Sequence, residues 1–146
     1  MKIIPKSGID NLLFGMKQPD VTSLYGKPDK QFKDDDKNTI LVYNPQKWRL
    51  TFYEDEDFRL GYIISSNSEL TLFDKKLIGR NVDEVKKELL PHNFKSWEQE
   101  DFDLAENHFN EDNWLILQTE FGEIANIEIG AIINNNDEFD WKFGKK

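Results

Sequence analysis

The sequence predicts an α+β fold built from two tandem units, each a helix followed by an antiparallel meander of three strands. Strand-like alternation occurs in two groups, a short helix signal precedes each group, and the two halves align at an offset of 64 to 66 residues. We expect both helices to pack on one face of a single antiparallel sheet. The first unit covers about residues 9–64 and the second about residues 70–133, followed by a tail at 134–146. We expect residues 1–146 to form a single domain.

The first helix is predicted from its start signal and its apolar face. Pro19 stands at the first helical position, and Asp20 in the first turn complements the exposed backbone amides. Val21 and Leu24 lie three residues apart on one face, and Gly26 ends the helix.

The second helix shows a similar set of signals. Asn81 and Glu84 have the spacing of a capping box, in which side chains satisfy the free amides of the first turn. Val82, Val85 and Leu89 then form an apolar stripe at helical spacing. This stripe predicts a helix that packs against the sheet.

The strand signals are runs of apolar residues separated by turn-forming segments. They cover residues 39–43, 48–53 and 58–64 in the first unit and residues 114–121 and 124–133 in the second. The first strand of the second unit is marked by Phe109, which stands 66 positions after Tyr43. Residues 134–146 begin with three Asn and then alternate aromatic and charged residues. Two interpretations of this tail stay open, a last edge strand and a mobile arm.

Net charge and cysteine content narrow the possible functions. The chain has a formal charge of −9, and residues 74–146 carry nine Lys and Arg against seventeen Asp and Glu. The negative electrostatic field of these acidic residues repels nucleic acid and anionic membranes and attracts basic proteins. The chain has no cysteine, and residues 1–8 lack the apolar stretch of a signal peptide. We therefore expect a cytoplasmic protein.

The most informative stretch is residues 96–141, which contains no Lys or Arg. Its acids alternate with aromatic residues, which indicates a folded acidic surface rather than a solvated tail. Such a surface favours binding to a basic macromolecule, with an aromatic side chain as anchor. The predicted partner-binding residues are Trp97, Glu98, Glu100, Asp101, Asp103, Glu111 and Asp112.

Catalysis, metal binding and cofactor binding have little support. His108 could form an acid/base pair with Glu106 or Glu111, but no nucleophile motif accompanies it. The carboxylate clusters lack the alternating spacing and the glycine of a calcium loop, and no phosphate-binding glycine loop is present. We expect no enzyme activity, no catalytic residue, no metal and no cofactor.

Several short segments carry a resemblance to a known family. They are Gly8-Ile9-Asp10, Leu13-Phe14-Gly15-Met16, Leu24-Tyr25-Gly26-Lys27-Pro28-Asp29, Leu70-Thr71-Leu72-Phe73 and Leu77-Ile78-Gly79. In this order they resemble small bacterial immunity proteins of polymorphic toxin and contact-dependent growth inhibition systems. The resemblance implies a cytosolic protein that binds and neutralises a cognate toxin domain, often a nuclease. It implies no particular interface residues.

The first functional hypothesis is therefore an immunity or inhibitor protein that covers a basic toxin domain with its acidic surface. The alternative is a structural or adaptor module that binds a partner through a sheet edge or through the tail. A third hypothesis, an enzyme acting through His108, has the least support.

Overall fold

The computed structural model describes residues 1–144. The elements of the first half follow in chain order: β1 (Ile3–Ile4), β2 (Gly8–Ile9), β3 (Leu12–Leu13), α1 (Gln18–Tyr25), β4 (Lys30–Lys33), β5 (Thr39–Tyr43), β6 (Trp48–Tyr53) and β7 (Arg59–Ser65). The second half continues with β8 (Thr71–Leu72), β9 (Lys75–Lys76), α2 (Val82–Leu89), β10 (Glu98–Phe102), β11 (Ala105–Asn110), β12 (Leu115–Glu120) and β13 (Glu123–Gly130). Short 3-10 turns lie at Glu54–Glu56 and Leu90–His92.

Eight of the strands form one antiparallel sheet in the order β10-β11-β12-β13-β7-β6-β5-β4. Each half of the chain supplies four consecutive strands joined by turns, and the two meanders meet where β13 pairs with β7. Ile63 and Ile129 lie opposite each other at this seam. Strand β10 is one edge of the sheet and β4 is the other.

The core lies against one face of the sheet, here called the core face. Alternation in β6 turns Trp48, Leu50 and Phe52 toward this face, and each is at most 2% exposed. The N-terminal segment packs over the same core with Phe14 and Leu12, among others. The opposite face of the sheet, here called the outer face, carries the residues that alternate with these.

The helices are short and begin with local hydrogen bonds. Asp20 Oδ2 accepts from the backbone amide of Lys17 at 3.0 Å at the start of α1. Asn81 Oδ1 accepts from the amides of Asp83 and Glu84 at 2.9 and 3.2 Å, which confirms the Asn81 half of the predicted capping box. The predicted helix positions are therefore confirmed, and α2 buries Val82 with the rest of its apolar stripe.

The predicted fold class is wrong. The protein is mostly β, with 42% strand and 15% helix, and two helix-plus-meander repeats are not evident. The sequence predicted three strands in each unit because it relied on apolar alternation. It missed β4 and β10, whose residues are all exposed and mostly polar. These edge strands are held by backbone pairing on one side and contribute little to the core.

Neither interpretation of the tail describes its structure. Phe139, Trp141 and Phe143 are partly buried against the core cluster. The backbone amides of Lys142 and Phe143 donate to the carbonyl oxygen of Phe14 at 3.1 and 3.0 Å. The aromatic alternation thus reflects docking onto the N-terminal segment, and this part of the tail is neither an edge strand nor a free arm.

Candidate functional site

The acidic stretch of the sequence begins with the edge hairpin formed by β10 and β11. Gln99 of β10 lies opposite His108, which is buried on the core face. Because neighbouring residues of a strand point to opposite faces, Glu98 and Glu100 lie on the outer face. They stand beside Phe109 and Asn107 of β11, respectively.

Two hollows open next to each other at this hairpin, and both have carboxylates and an aromatic ring in their walls. The first has a volume of about 250 Å³ and is lined by Glu98, Gln99, Glu100, Asn107, Phe109 and Ile116. The second has a volume of about 200 Å³ and is lined by Ser96, Trp97, Glu98, Phe109, Glu111 and Asp112. Glu98 and Phe109 belong to both hollows and therefore form the boundary between them.

The structure brings five of the seven predicted partner-binding residues together. These five line the hollows: Trp97, Glu98, Glu100, Glu111 and Asp112. The other two lie toward the opposite end of β10. Asp101 accepts a hydrogen bond from Gln99 Nε2 at 2.9 Å, and Asp103 lies in the turn between β10 and β11.

Trp97, the predicted aromatic anchor, is in contact with other side chains of the chain. Its ring is half-buried and stacks on Phe94 with 6.4 Å between ring centres. The ammonium group of Lys86 lies 5.4 Å from the centre of the same indole ring. Burial lowers the pKa of Lys86, although Asp83 and Glu106 act in the opposite direction. The indole ring of Trp97 thus already contacts one cation. The sequence did not predict this contact with Lys86.

Six carboxylates at or next to the hairpin form no ion pair within residues 1–144. We call the six of them the acidic edge: Glu98, Glu100, Asp101, Asp103, Glu111 and Asp112. Their charges therefore remain available to a partner.

Asn107, which lines the first hollow, has a buried amide oxygen. Its Oδ1 has no hydrogen-bond partner among residues 1–144. An ammonium or guanidinium group entering this hollow would meet the carboxylates of Glu98 and Glu100 and the ring of Phe109. Chemically, the arrangement is suited to cations.

His108 lies on the other side of the same strand, away from both hollows. Its Nε2 is 2.9 Å from Glu106 Oε1, so one of the two predicted pairings is present. The residue is 2% exposed, and Nδ1 has no partner within the described chain. The His108 ring is packed into the core face, whereas the side chain of Glu106 is 38% exposed.

No group of three or more His, Cys, Asp or Glu side chains in residues 1–144 is arranged to hold a metal ion. No helix within the same residues is long and apolar enough to cross a membrane.

The chain was compared with known proteins. No protein-family model matches it, and no curated protein matches it. One similar solved structure is an extracellular protein containing a SCP domain from Bacillus anthracis strain Ames, with 12% identity and a TM-score of 0.55. The match covers 80% of this chain and 43% of that one. Another is a cysteine-rich secretory protein from Staphylococcus aureus Mu50, with 12% identity, a TM-score of 0.49, and 86% and 48% of the two chains covered.

These comparisons overturn the resemblance to immunity proteins. The chain spans less than half the length of these two structures, and at this identity the Bacillus match shows the fold alone. That fold is shared with a SCP-domain protein, and no sequence match supports an immunity protein or a toxin inhibitor. The adaptor hypothesis gains no specific support either. The cytoplasmic location stays a prediction.

Proposed function

We propose that the chain is a non-enzymatic binding module that holds a basic polypeptide segment at the acidic edge. The observation that supports this most directly is the pair of adjoining hollows, which have Glu98 and Phe109 as their common boundary. The proposal includes neither a toxin nor the inhibition of one.

Each hollow would receive one basic side chain of the partner. In the first hollow, a lysine or arginine would lie between Glu98 and Glu100 against the ring of Phe109. In the second, it would contact Glu98 together with Glu111 or Asp112. Two closely spaced cations on one polypeptide segment would occupy both hollows at once. The partner is therefore a chain with closely spaced basic residues rather than a single small cation.

The free energies of the single contacts indicate that the affinity for a basic segment comes from several weak interactions. An exposed ion pair contributes roughly 0.2 to 1 kcal/mol, and an exposed cation–π contact contributes roughly 0.5 to 1 kcal/mol. A few such contacts give binding that weakens steeply with salt, because the carboxylates are exposed to solvent. Nucleic acid is disfavoured as a partner, because its phosphates would meet the six carboxylates of the acidic edge.

The test uses a fluorescent oligolysine peptide as the probe and anisotropy at low and moderate salt as the measurement. We expect the double variant Glu98→Gln with Glu100→Gln to bind roughly tenfold more weakly, the effect of losing about 1.4 kcal/mol from two pairs. The matched control is Glu54→Gln with Glu56→Gln, which removes the same two charges at the same spacing in the 3-10 turn between β6 and β7.

The comparison between the two double variants decides whether the peptide binds at the acidic edge. A loss confined to the Glu98 and Glu100 variant supports the acidic edge. Equal losses of peptide affinity in both double variants would show that binding depends only on net charge, and the proposed site would be rejected. Wild-type binding that is indifferent to salt would also count against it.

A further inference from the structure

Three large apolar side chains are exposed together at one end of the acidic half of the sheet. Phe102 is 48% exposed, Leu104 is 67% exposed and Phe121 is 79% exposed. We call these three residues the apolar tip. Phe102 and Leu104 flank Asp103 at the turn between β10 and β11, and Phe121 lies in the turn between β12 and β13.

The two turns are held side by side by the backbone. The amide of Phe121 donates to the carbonyl oxygen of Leu104 at 3.3 Å. Phe102, Ala105 and Glu120 also form a continuous cross-strand row, because β11 pairs with both neighbouring strands. The exposed side chains thus come from two hairpins whose turns lie side by side.

Phe121 occupies a position that neither backbone preference nor burial explains. Its φ is +53° and that of Gly122 is +80°, so both central residues of this two-residue turn are left-handed. Asn or Asp followed by Gly suits such a turn, whereas a bulky aromatic residue is strained there. The strain is not offset by burial, since most of the ring faces solvent. A strained residue that is also exposed points to a role in binding.

The surroundings of the apolar tip are acidic. Asp101 and Asp103 flank Phe102, and Glu120 and Glu123 flank the turn that carries Phe121. The nearby Arg80, whose backbone carbonyl accepts from Ile124, has its guanidinium held by Glu88 at 2.8 and 2.6 Å. An exposed apolar patch with a polar rim is typical of a protein interaction site.

We propose that the apolar tip anchors the apolar face of a basic amphipathic segment, whose cations pair with the surrounding carboxylates. This inference rests on the proposed function and specifies the partner further. Oligolysine would use the carboxylates alone, whereas an amphipathic helix with Leu on one face and Lys on the other would use both. An anionic membrane is not a suitable occupant, since the rim carries the same sign of charge.

The experiment compares two fluorescent peptides of equal length and equal positive charge. One has Leu and Lys in a helical amphipathic pattern, and in the other each Leu is replaced by Ser. The variants are Phe121→Asn and Leu104→Ser. Leu24→Ser, at a 49% exposed position on α1, is the matched control. Phe121→Asn suits the turn better than the native residue, so it keeps the test independent of misfolding.

We expect wild type to bind the Leu/Lys peptide about tenfold more tightly than the Ser/Lys peptide. The difference corresponds to the contribution of an aromatic side chain that becomes buried on binding. Phe121→Asn should remove most of that difference without lowering the melting temperature, and Leu24→Ser should leave it unchanged. Equal binding of the two peptides by wild type would overturn the inference. So would full retention of the difference in Phe121→Asn.

The two proposals fail in different ways. If the Glu98 and Glu100 double variant binds the Ser/Lys peptide normally while Phe121→Asn still weakens the Leu/Lys peptide, the acidic edge is rejected and the apolar tip stands as an anchor. If the double variant loses the Ser/Lys peptide while Phe121→Asn binds both peptides normally, the apolar tip is rejected.

Discussion

The hydroxyl of Tyr62 donates a hydrogen bond to Glu128 Oε1 across the seam between β7 and β13. The two side chains come from different halves of the chain, and the bond lies on the outer face of the sheet. The ring of Tyr62 also packs edge-on against Trp114, with 5.2 Å between ring centres. This contact ties the two meanders together through side chains as well as through backbone pairing.

Removing the hydroxyl of Tyr62 should destabilise the protein. We expect Tyr62→Phe to lower the free energy of unfolding by about 1 to 2 kcal/mol, because a hydrogen bond to a charged group is lost while the ring contact with Trp114 remains. Urea unfolding followed by tryptophan fluorescence measures the change. Tyr53→Phe is the control, because the Tyr53 hydroxyl makes no hydrogen bond within residues 1–144. Equal effects of the two substitutions would contradict the role given to Glu128.

Stability should fall at alkaline pH. Burial raises the pKa of the tyrosines, and for Tyr62 the hydrogen bond to Glu128 raises it further. A raised pKa in the folded state means that the unfolded chain loses its tyrosine protons first, at about pH 10. The stabilisation that comes from the protonated tyrosines is therefore complete below about pH 10. It is lost as the pH rises toward the pKa values of these tyrosines in the folded state.

Urea midpoints measured from neutral to strongly alkaline pH check this expectation. The decline should be shallower in Tyr62→Phe, since the most strongly shifted tyrosine is then absent. An identical slope in wild type and variant would show that Tyr62 does not contribute.

A methyl group at Gly61 should be poorly tolerated. A Cβ at this position would lie 2.1 Å from Cε2 of the Tyr53 ring, and that ring packs against Phe139 of the tail. We expect Gly61→Ala to cost about 1 to 3 kcal/mol, the range for overpacking. Combining it with Tyr53→Leu in a double-mutant cycle should recover part of that loss, and strict additivity would contradict the steric explanation.

The docked tail should contribute to stability. Trp141 stacks on Phe139 with 4.8 Å between ring centres, and it lies close to Gly15 of the N-terminal segment. We expect Trp141→Ala to lower the free energy of unfolding by about 2 kcal/mol, less than for a fully buried tryptophan. The exposed Phe121→Asn is the comparison, with no loss expected. An unchanged denaturation midpoint in Trp141→Ala would show that the tail does not stabilise the fold.

The sequence predicted those elements that are specified by local patterns. Strands β5 and β6 were placed at their observed bounds. The signal for β5 is a run of mostly buried apolar residues, and the signal for β6 is the alternation of its side chains between core and solvent. Helices α1 and α2 were placed by their start signals and apolar positions. Edge strands such as Lys30–Lys33 follow from pairing with a neighbour, and no local pattern reveals them.

The candidate site was predictable in its charge but not in its shape. The absence of cations from residues 96–141 identified the acidic residues directly. The hollows depend on the register that places Glu98 opposite Phe109, which cannot be derived from one strand. Phe121 was assigned to the end of a strand because it is apolar. The Gly122 that follows it was the signal that it lies in a turn instead.

The meeting of β7 and β13 also has a consequence for the order of folding. Hairpins within each meander join residues that are close in sequence, whereas the seam joins Ser65 to Ile127. The entropy of closing a long loop must be overcome before those pairs form, so the seam has a high contact order. We expect each meander to assemble by itself first and the seam to close last. Changes at the seam should then mainly accelerate unfolding and leave the folding rate nearly unchanged.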